Sequence, residues 1–197
     1  MNRVEANTSL GERRLRADAR RNRERILQAA EEVFATKGHQ AQMDDVAAQA
    51  GVGVGTVYRH FPTKDALMGA LVAQQFAQFA VNAHECLDVE DPWEAFAQSF
   101  RRNAELMAAN AGVQYVLMNT AALVEYIAPQ KQELEEAMGA LVERAQSAGV
   151  LREDFEMHDF GMLMCGLCST MGAVMPAPFE WRRHLEIMLD GLHTQRE

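Results

Sequence analysis

The stretch from Asp44 to Lys64, DDVAAQAGVGVGTVYRHFPTK, constrains this chain more than any other. Asp44 to Ala50 is short, alanine-rich and helix-favouring. Gly51 stands where a glycine ends a helix, because glycine takes the left-handed C-terminal conformation without a Cβ penalty. A second short helix, Val54 to His60, follows almost at once. Pro62 stops it, and Thr63 is placed to cap the next helix. Two helices joined by a tight, glycine-containing turn outline a helix-turn-helix, whose second helix enters the DNA major groove.

The rest of the chain has to supply a body for that motif. Its 197 residues fit one large domain, or a small domain fused to a larger one, and 48% of them are apolar, enough for a substantial core. Ala, Glu, Leu, Met, Gln and Arg dominate and alternating β-branched runs are missing, which predicts an all-α fold of about nine helices. The five prolines (Pro62, Pro92, Pro129, Pro176 and Pro178) fall at expected helix junctions. No apolar run resembles a signal peptide or reaches transmembrane length. Three cysteines are too few, and odd in number, for a disulfide framework. A reduced, cytoplasmic protein without membrane contact is the expectation. The net charge of -9 is unevenly spread. Residues 1–66 carry 11 basic and 9 acidic side chains, and residues 67–197 carry 8 and 19. Such asymmetry suggests that the first end meets a polyanion.

Residues 1–17 lack apolar periodicity and read as a flexible basic arm, either a solvated tail or an arm reaching phosphates or the minor groove. A helix-turn-helix domain is expected over 18–65 and a larger helical domain over 66–197. The first helix, Asp18 to Lys37, carries an apolar stripe of Ile26, Ala30, Val33 and Phe34. Val46, Ala47, Val52, Val57 and Phe61 are its expected core partners. The helix after Thr63, running to about His84, is apolar nearly all round and should pack on more than one neighbour. Asp91-Pro92 reads as a helix start. Val113 to Ile127 is a largely apolar segment, Pro129 opens a further helix that Gly149 closes, and Asp154 caps one over Phe155 to Val174. Pro176 and Pro178 lead into a last helix with an apolar stripe from Trp181 to Leu192.

From Ala50 to Leu67 the chain reads A-G-V-G-V-G-T-V-Y-R-H-F-P-T-K-D-A-L, and upstream Ile26, Leu27, Ala29, Ala30, Phe34 and Gly38 fit I-L-x-A-A-x-x-x-F-x-x-x-G. Together these residues resemble the TetR family of bacterial transcriptional regulators. The ending around Trp181-Arg182-Arg183 and Asp190-Gly191-Leu192 is similar to a common C-terminal domain of that family. One departure is Gln42, before Met43, where many relatives have a capping threonine; Gln is a poorer cap.

The resemblance implies contacts to operator DNA at Gln42 and Met43 and through the second helix. Thr56, Tyr58, His60 and Lys64 would hold phosphates, and Gly53, Val54, Gly55 and Arg59 would face bases. Arg59 fits a bidentate guanine contact or a phosphate, and both readings stay open. The resemblance further implies a homodimer built from the last two helices. Gly161, Met164, Cys168 and Met171 would serve from one, and Trp181, Leu185, Met188, Leu189 and Leu192 from the other. An unknown small, largely apolar ligand would sit among Met107, Tyr115, Met118, Asn119, Glu125, Tyr126 and Met164. The function implied is a repressor released from a palindromic operator by that ligand, with no catalytic residue, cofactor or metal. The rivals are a ligand-independent DNA-binding regulator or architectural protein and, from another class, a redox enzyme using Cys165 and Cys168.

Overall fold

A computed structural model describes residues 3–119, 124–171 and 180–194; the side chains of 3–16, 118–119 and 124–125 lie outside it. Its first helix, α1 (Arg3–Lys37), is far longer than expected. The segment read as an arm is helical from Arg3 and continuous with the predicted helix. Residues with high helix propensity and no proline keep the backbone helical without an apolar stripe, which is needed only where there is a core to face.

After a 3-10 turn, Gly38–Gln40, come α2 (Met43–Ala50) and α3 (Val54–His60), close to their predicted bounds. Gly51 adopts φ 62°, ψ 39°, and the N–H of Val52 returns to the Ala47 carbonyl at 3.0 Å, closing α2 as its sequence predicts. Next is α4 (Lys64–Cys86), whose Ala66 N–H donates to the Thr63 hydroxyl at 3.0 Å. Helix α5 (Pro92–Ala109) is capped by the Asp91 carboxylate, which accepts from the Glu94 N–H at 2.8 Å. Helices α6 (Ala111–Asn119), α7 (Val124–Ser147), α8 (Met157–Met171) and α9 (Trp181–Leu192) complete nine α-helices among the described residues.

Three expected boundaries are corrected. Pro129 lies inside α7 rather than opening it, where it forgoes the backbone hydrogen bond its N–H would have made. The segment Val113 to Ile127 therefore divides between α6 and α7. Asp154 does not cap α8: its carboxylate pairs with Arg152 at 2.6 and 2.8 Å, and Asp159 instead reaches back to the Glu156 N–H at 2.8 Å. Pro176 and Pro178 lie outside the described residues, and the last helix begins at Trp181.

Two apolar cores form. The first joins the α1 stripe to Val46 and Ala47 of α2, Val57 of α3 and Leu67, Leu71 and Val72 of α4. It also takes Val113 and Val116 from α6 and Ile127 from α7, so it extends past the boundary expected near residue 65. The second fills the space between α4, α5, α7, α8 and α9 around Phe96, Phe100, Met138 and Leu141. Arg144 of α7 donates to the carbonyls of Leu87, Val89 and Glu90, which ties the α4–α5 connection to the body.

The crossing of α6 over α1 is the tightest in the molecule for a glycine. A Cβ built on Gly112 would overlap the Glu31 carbonyl group of α1, a backbone neighbour that cannot rotate aside. Gly112→Val should therefore cost about 2 kcal/mol through overpacking, read as a lower urea midpoint with unchanged helix content in the native baseline.

Candidate nucleic-acid interface and ligand cavity

Helix α3 has two unlike faces. Val57 is fully buried, and Phe61 just beyond the helix is nearly so. One helical step away, Val54 and Tyr58 form one i, i+4 row on the outside, and Gly55 and Arg59 form the next. Tyr58 is 49% exposed and Val54, one turn before it, 38% exposed. A Cβ built on Gly53 or Gly55 would meet nothing within 4 Å, so the backbone there lies open to close approach. Thr56 and His60 are half-buried at the edges of this face.

The elements beneath α3 are held by charged groups whose donors turn inward. Arg25 donates to the Ala50 carbonyl at 2.6 Å, supporting the end of α2, and the Arg23 guanidinium stacks on the Phe61 ring at 5.3 Å. Lys64 is half-buried; its ammonium donates to the carbonyls of His39 at 3.1 Å and Ala41 at 2.7 Å. Two of its three N–H bonds are therefore used within the chain. Asp45, the third residue of α2, reaches back to its start, accepting from the Gln42 N–H at 2.9 Å and from Lys37 at 2.7 Å. The Lys37 hydrogen bond, and after it the Gln42 N–H, hold the Asp45 carboxyl below its ordinary value of 3.8. A depressed acid stabilises the fold above its unfolded value, and that contribution is lost only as pH falls through the lower native value. Gln42 is exposed and its amide turns back to the Gln40 carbonyl at 3.3 Å. Met43 is 6% exposed and belongs to the first core, which corrects its expected place at the DNA: an apolar side chain at the first position of α2 packs inward.

The second core borders a cavity of about 580 Å³, within the range of small-molecule sites, that is open on the side where Lys131, Glu135, His158, Met162 and Cys165 are exposed. Phe76 and Phe79 of α4 form one wall. Met107, Leu117 and Leu134 come from α5, α6 and α7, and Phe160, Met164 and Cys168 from α8. Gln114 is the one uncharged amide among the lining residues, and Lys131, Glu135 and His158 add charged or titratable groups.

This arrangement recurs in known proteins. The model for the bacterial regulatory proteins of the tetR family matches residues 26–71, and that for the C-terminal domain of SbtR-like transcriptional regulators matches residues 91–194. The chain belongs to the TetR family. It is a DNA-binding transcriptional regulator. It is similar to a TetR transcription regulatory protein of Mycobacterium vanbaalenii, 32% identical with a TM-score of 0.63 over 91% of this chain and 99% of that one. Among curated relatives, the HTH-type regulator TtgW of Pseudomonas putida is 37% identical over 84 residues, 42% of this chain and 63% of its own length. The transcriptional repressor BepR of Brucella suis is 32% identical over 118 residues, 58% of this chain and 56% of its own length. The matches thus span less than two thirds of these two curated relatives.

Within this TetR-family fold, the expected ligand residues divide. Met107 and Met164 line the cavity. Tyr115 does not: with Gln114 and Leu117 facing the cavity, the helical turn directs Tyr115 the other way, where its ring lies against Gly38. Tyr126 is exposed and packs over Gly69 of α4. The side chains of Met118, Asn119 and Glu125 lie outside the described residues. Phe76, Phe79 and Phe160 are lining residues that sequence reasoning missed, although the all-round apolar pattern of α4 was the available signal.

The expected dimer residues also divide. Leu185, Leu189 and Leu192 are buried in the chain's own second core, and Met164 and Cys168 border the cavity. An amphipathic helix covers its own subunit first, so its strongest stripe is turned inward. Met171, Trp181 and Met188 are half-buried against that core, and Gly161 is exposed beside the cavity. The exposed apolar side chains on these helices are instead Ile187 of α9, 57% exposed, and Met162 of α8, 69% exposed at the open edge of the cavity it also lines. Burial pushes the Cys168 thiol up to about 12, so it is not a thiolate at neutral pH, and Cys165 is exposed. Among the described residues no three His, Cys, Asp or Glu side chains gather to hold a metal, and no helix is long and apolar enough to cross a membrane.

Because Lys64 ties the start of α4 to the turn after α1, Lys64→Met should lower stability by about 1–2 kcal/mol, measured by urea denaturation without any DNA present.

Proposed function

We propose that this regulator is a repressor that reads a palindromic operator as a homodimer and leaves it when an apolar ligand enters the cavity. The observation that carries the DNA half is the outer face of α3, where Val54, Gly55, Tyr58 and Arg59 stand exposed over a rigid support. A tyrosine hydroxyl there suits a phosphate and an arginine suits a guanine edge. Thr56 and His60 flank them, and Lys64, at the start of α4, has one donor left for a phosphate. The similarity to a repressor, BepR, favours repression over activation.

One recognition helix reads few bases, so two related by a two-fold axis are needed to read a palindrome. The outward faces of α8 and α9, around Met162 and Ile187, are the proposed contact between subunits. The ligand half of the reading is supported by the cavity itself, which lies beside α4 and α6, two helices that also build the first core. A ligand releases DNA only by binding the DNA-incompetent arrangement more tightly than the competent one.

The test is fluorescence anisotropy against a panel of duplexes from the upstream region of the gene. Tyr58→Phe should weaken all duplexes alike by roughly fivefold, the worth of one hydrogen bond. Arg59→Ala should weaken the preferred duplex by about 1–3 kcal/mol and flatten sequence preference. No binding by the wild type at low salt would refute the reading. Separately, Ile187→Arg should shift the chain from dimer to monomer in analytical ultracentrifugation and weaken operator binding with it.

A further inference from the structure

The cavity carries information about what it accepts. Its walls are apolar, with soft sulfur and aromatic surfaces from Met107, Met164, Phe76, Phe79 and Phe160. Gln114, only 8% exposed, lines the same space. Its Nε2 donates to the Met107 carbonyl at 2.9 Å and faces the Met171 sulfur at 3.7 Å. A carbonyl oxygen only accepts, so the amide nitrogen, not the oxygen, has to face Met107. That fixes the orientation of the group and leaves Oε1 as the free end. Among the described residues Oε1 accepts no hydrogen bond, so it is the end of this lining amide that remains for a ligand in an otherwise apolar wall.

The charged groups beside the cavity point to the other half of the inference. Lys131 is paired with Glu135 at 3.1 Å, one turn along α7. His158 lies 3.2 Å from Glu156 and 3.3 Å from Asp159. Among the described residues each cationic or basic group there already faces a carboxylate, which an anionic ligand would have to displace to gain a partner. Moving an ion into such a space is costly, and burying a donor is costly unless it finds an acceptor.

We propose that the cavity selects an uncharged, apolar molecule carrying one hydrogen-bond donor, of phenol or alcohol type, with Gln114 Oε1 as its acceptor. This rests on the reading of the cavity as the ligand site. It adds the class of molecule and the residue that distinguishes it.

Three probes of one skeleton test it by isothermal titration calorimetry on the full chain: 4-phenylphenol, 4-methoxybiphenyl and biphenyl-4-carboxylate. In a wholly apolar cavity the ether would bind best, because it leaves no donor unpaired. With Gln114 accepting, the phenol should bind roughly fivefold more tightly than the ether, and the carboxylate at least about tenfold more weakly than the phenol. In Gln114→Met the preference for phenol over ether should vanish while the ether keeps its affinity. The wild-type comparison needs no variant and decides the matter even if Gln114→Met folds poorly. An ether that equals or beats the phenol on the wild type overturns the proposal. So does a phenol preference that survives in Gln114→Met, or a carboxylate as tight as the phenol. Failure of all three probes to bind overturns the ligand-site reading itself, and this inference with it.

Discussion

The near contact of two helix backbones at Gly112 is the constraint on which the rest of this molecule depends. Without a side chain there, α6 settles directly on the Glu31 turn of α1. That depth lets Val113 and Val116 complete the first core while Gln114 and Leu117, on the next faces of the same short helix, reach the cavity. Each fully buried valine is worth about 1.5–3 kcal/mol. Exposed ion pairs, by comparison, give about 0–1 kcal/mol each. The join between the two halves of the chain is therefore an apolar one, made by packing, and α6 belongs to both halves at once. A shift of this helix cannot occur in one half alone.

Electrostatics has a more local role. The basic excess of residues 1–66 looks like a basic surface in one dimension. Among the described arginines of α1, Arg21 pairs with Asp18 and Arg20 with Glu24, while Arg23 and Arg25 turn to Phe61 and the end of α2. Elsewhere bidentate pairs tie α9 to α5: Arg101 with Glu186 at 2.8 and 2.9 Å, and Arg182 with Glu105 at 2.7 and 2.8 Å. The first of these pairs holds the Arg101 guanidinium even more firmly protonated and the Glu186 carboxyl below its ordinary range, the mutual hydrogen bond being the largest cause. Such geometry orients one helix on another more than it stabilises the whole.

Much of the fold was legible because it is written in residues that act locally. Gly51, Thr63, Asp91-Pro92 and Gly149 each satisfy backbone groups within a few positions, and each does so as read; Gly149 closes α7 at φ 67°. The errors share a different origin. The start of α1 depends on propensity with no stripe to mark it, and Pro129, which reads as a helix start, lies within α7. Asp154 looks like a cap until Arg152, two residues away, competes for it. The candidate sites divide the same way. The exposed row on α3 follows from one short helix and could be read directly. The cavity needs five helices placed in space, so an apolar residue on α4 or α8 gave no sign of whether it would face protein or a void.

The inward turn of the α9 stripe has a further meaning. Leu185, Leu189 and Leu192 close the second core from within the same chain, and the strand-like pairing of Leu151 with His193, with Thr194 donating to the Val150 carbonyl at 3.1 Å, fastens the end of α9 to the body. Among the described residues this core is closed within one chain. On the homodimer reading proposed above, the contact between subunits then adds to a finished core instead of completing one, and a weak concentration dependence of the unfolding midpoint would be its signature.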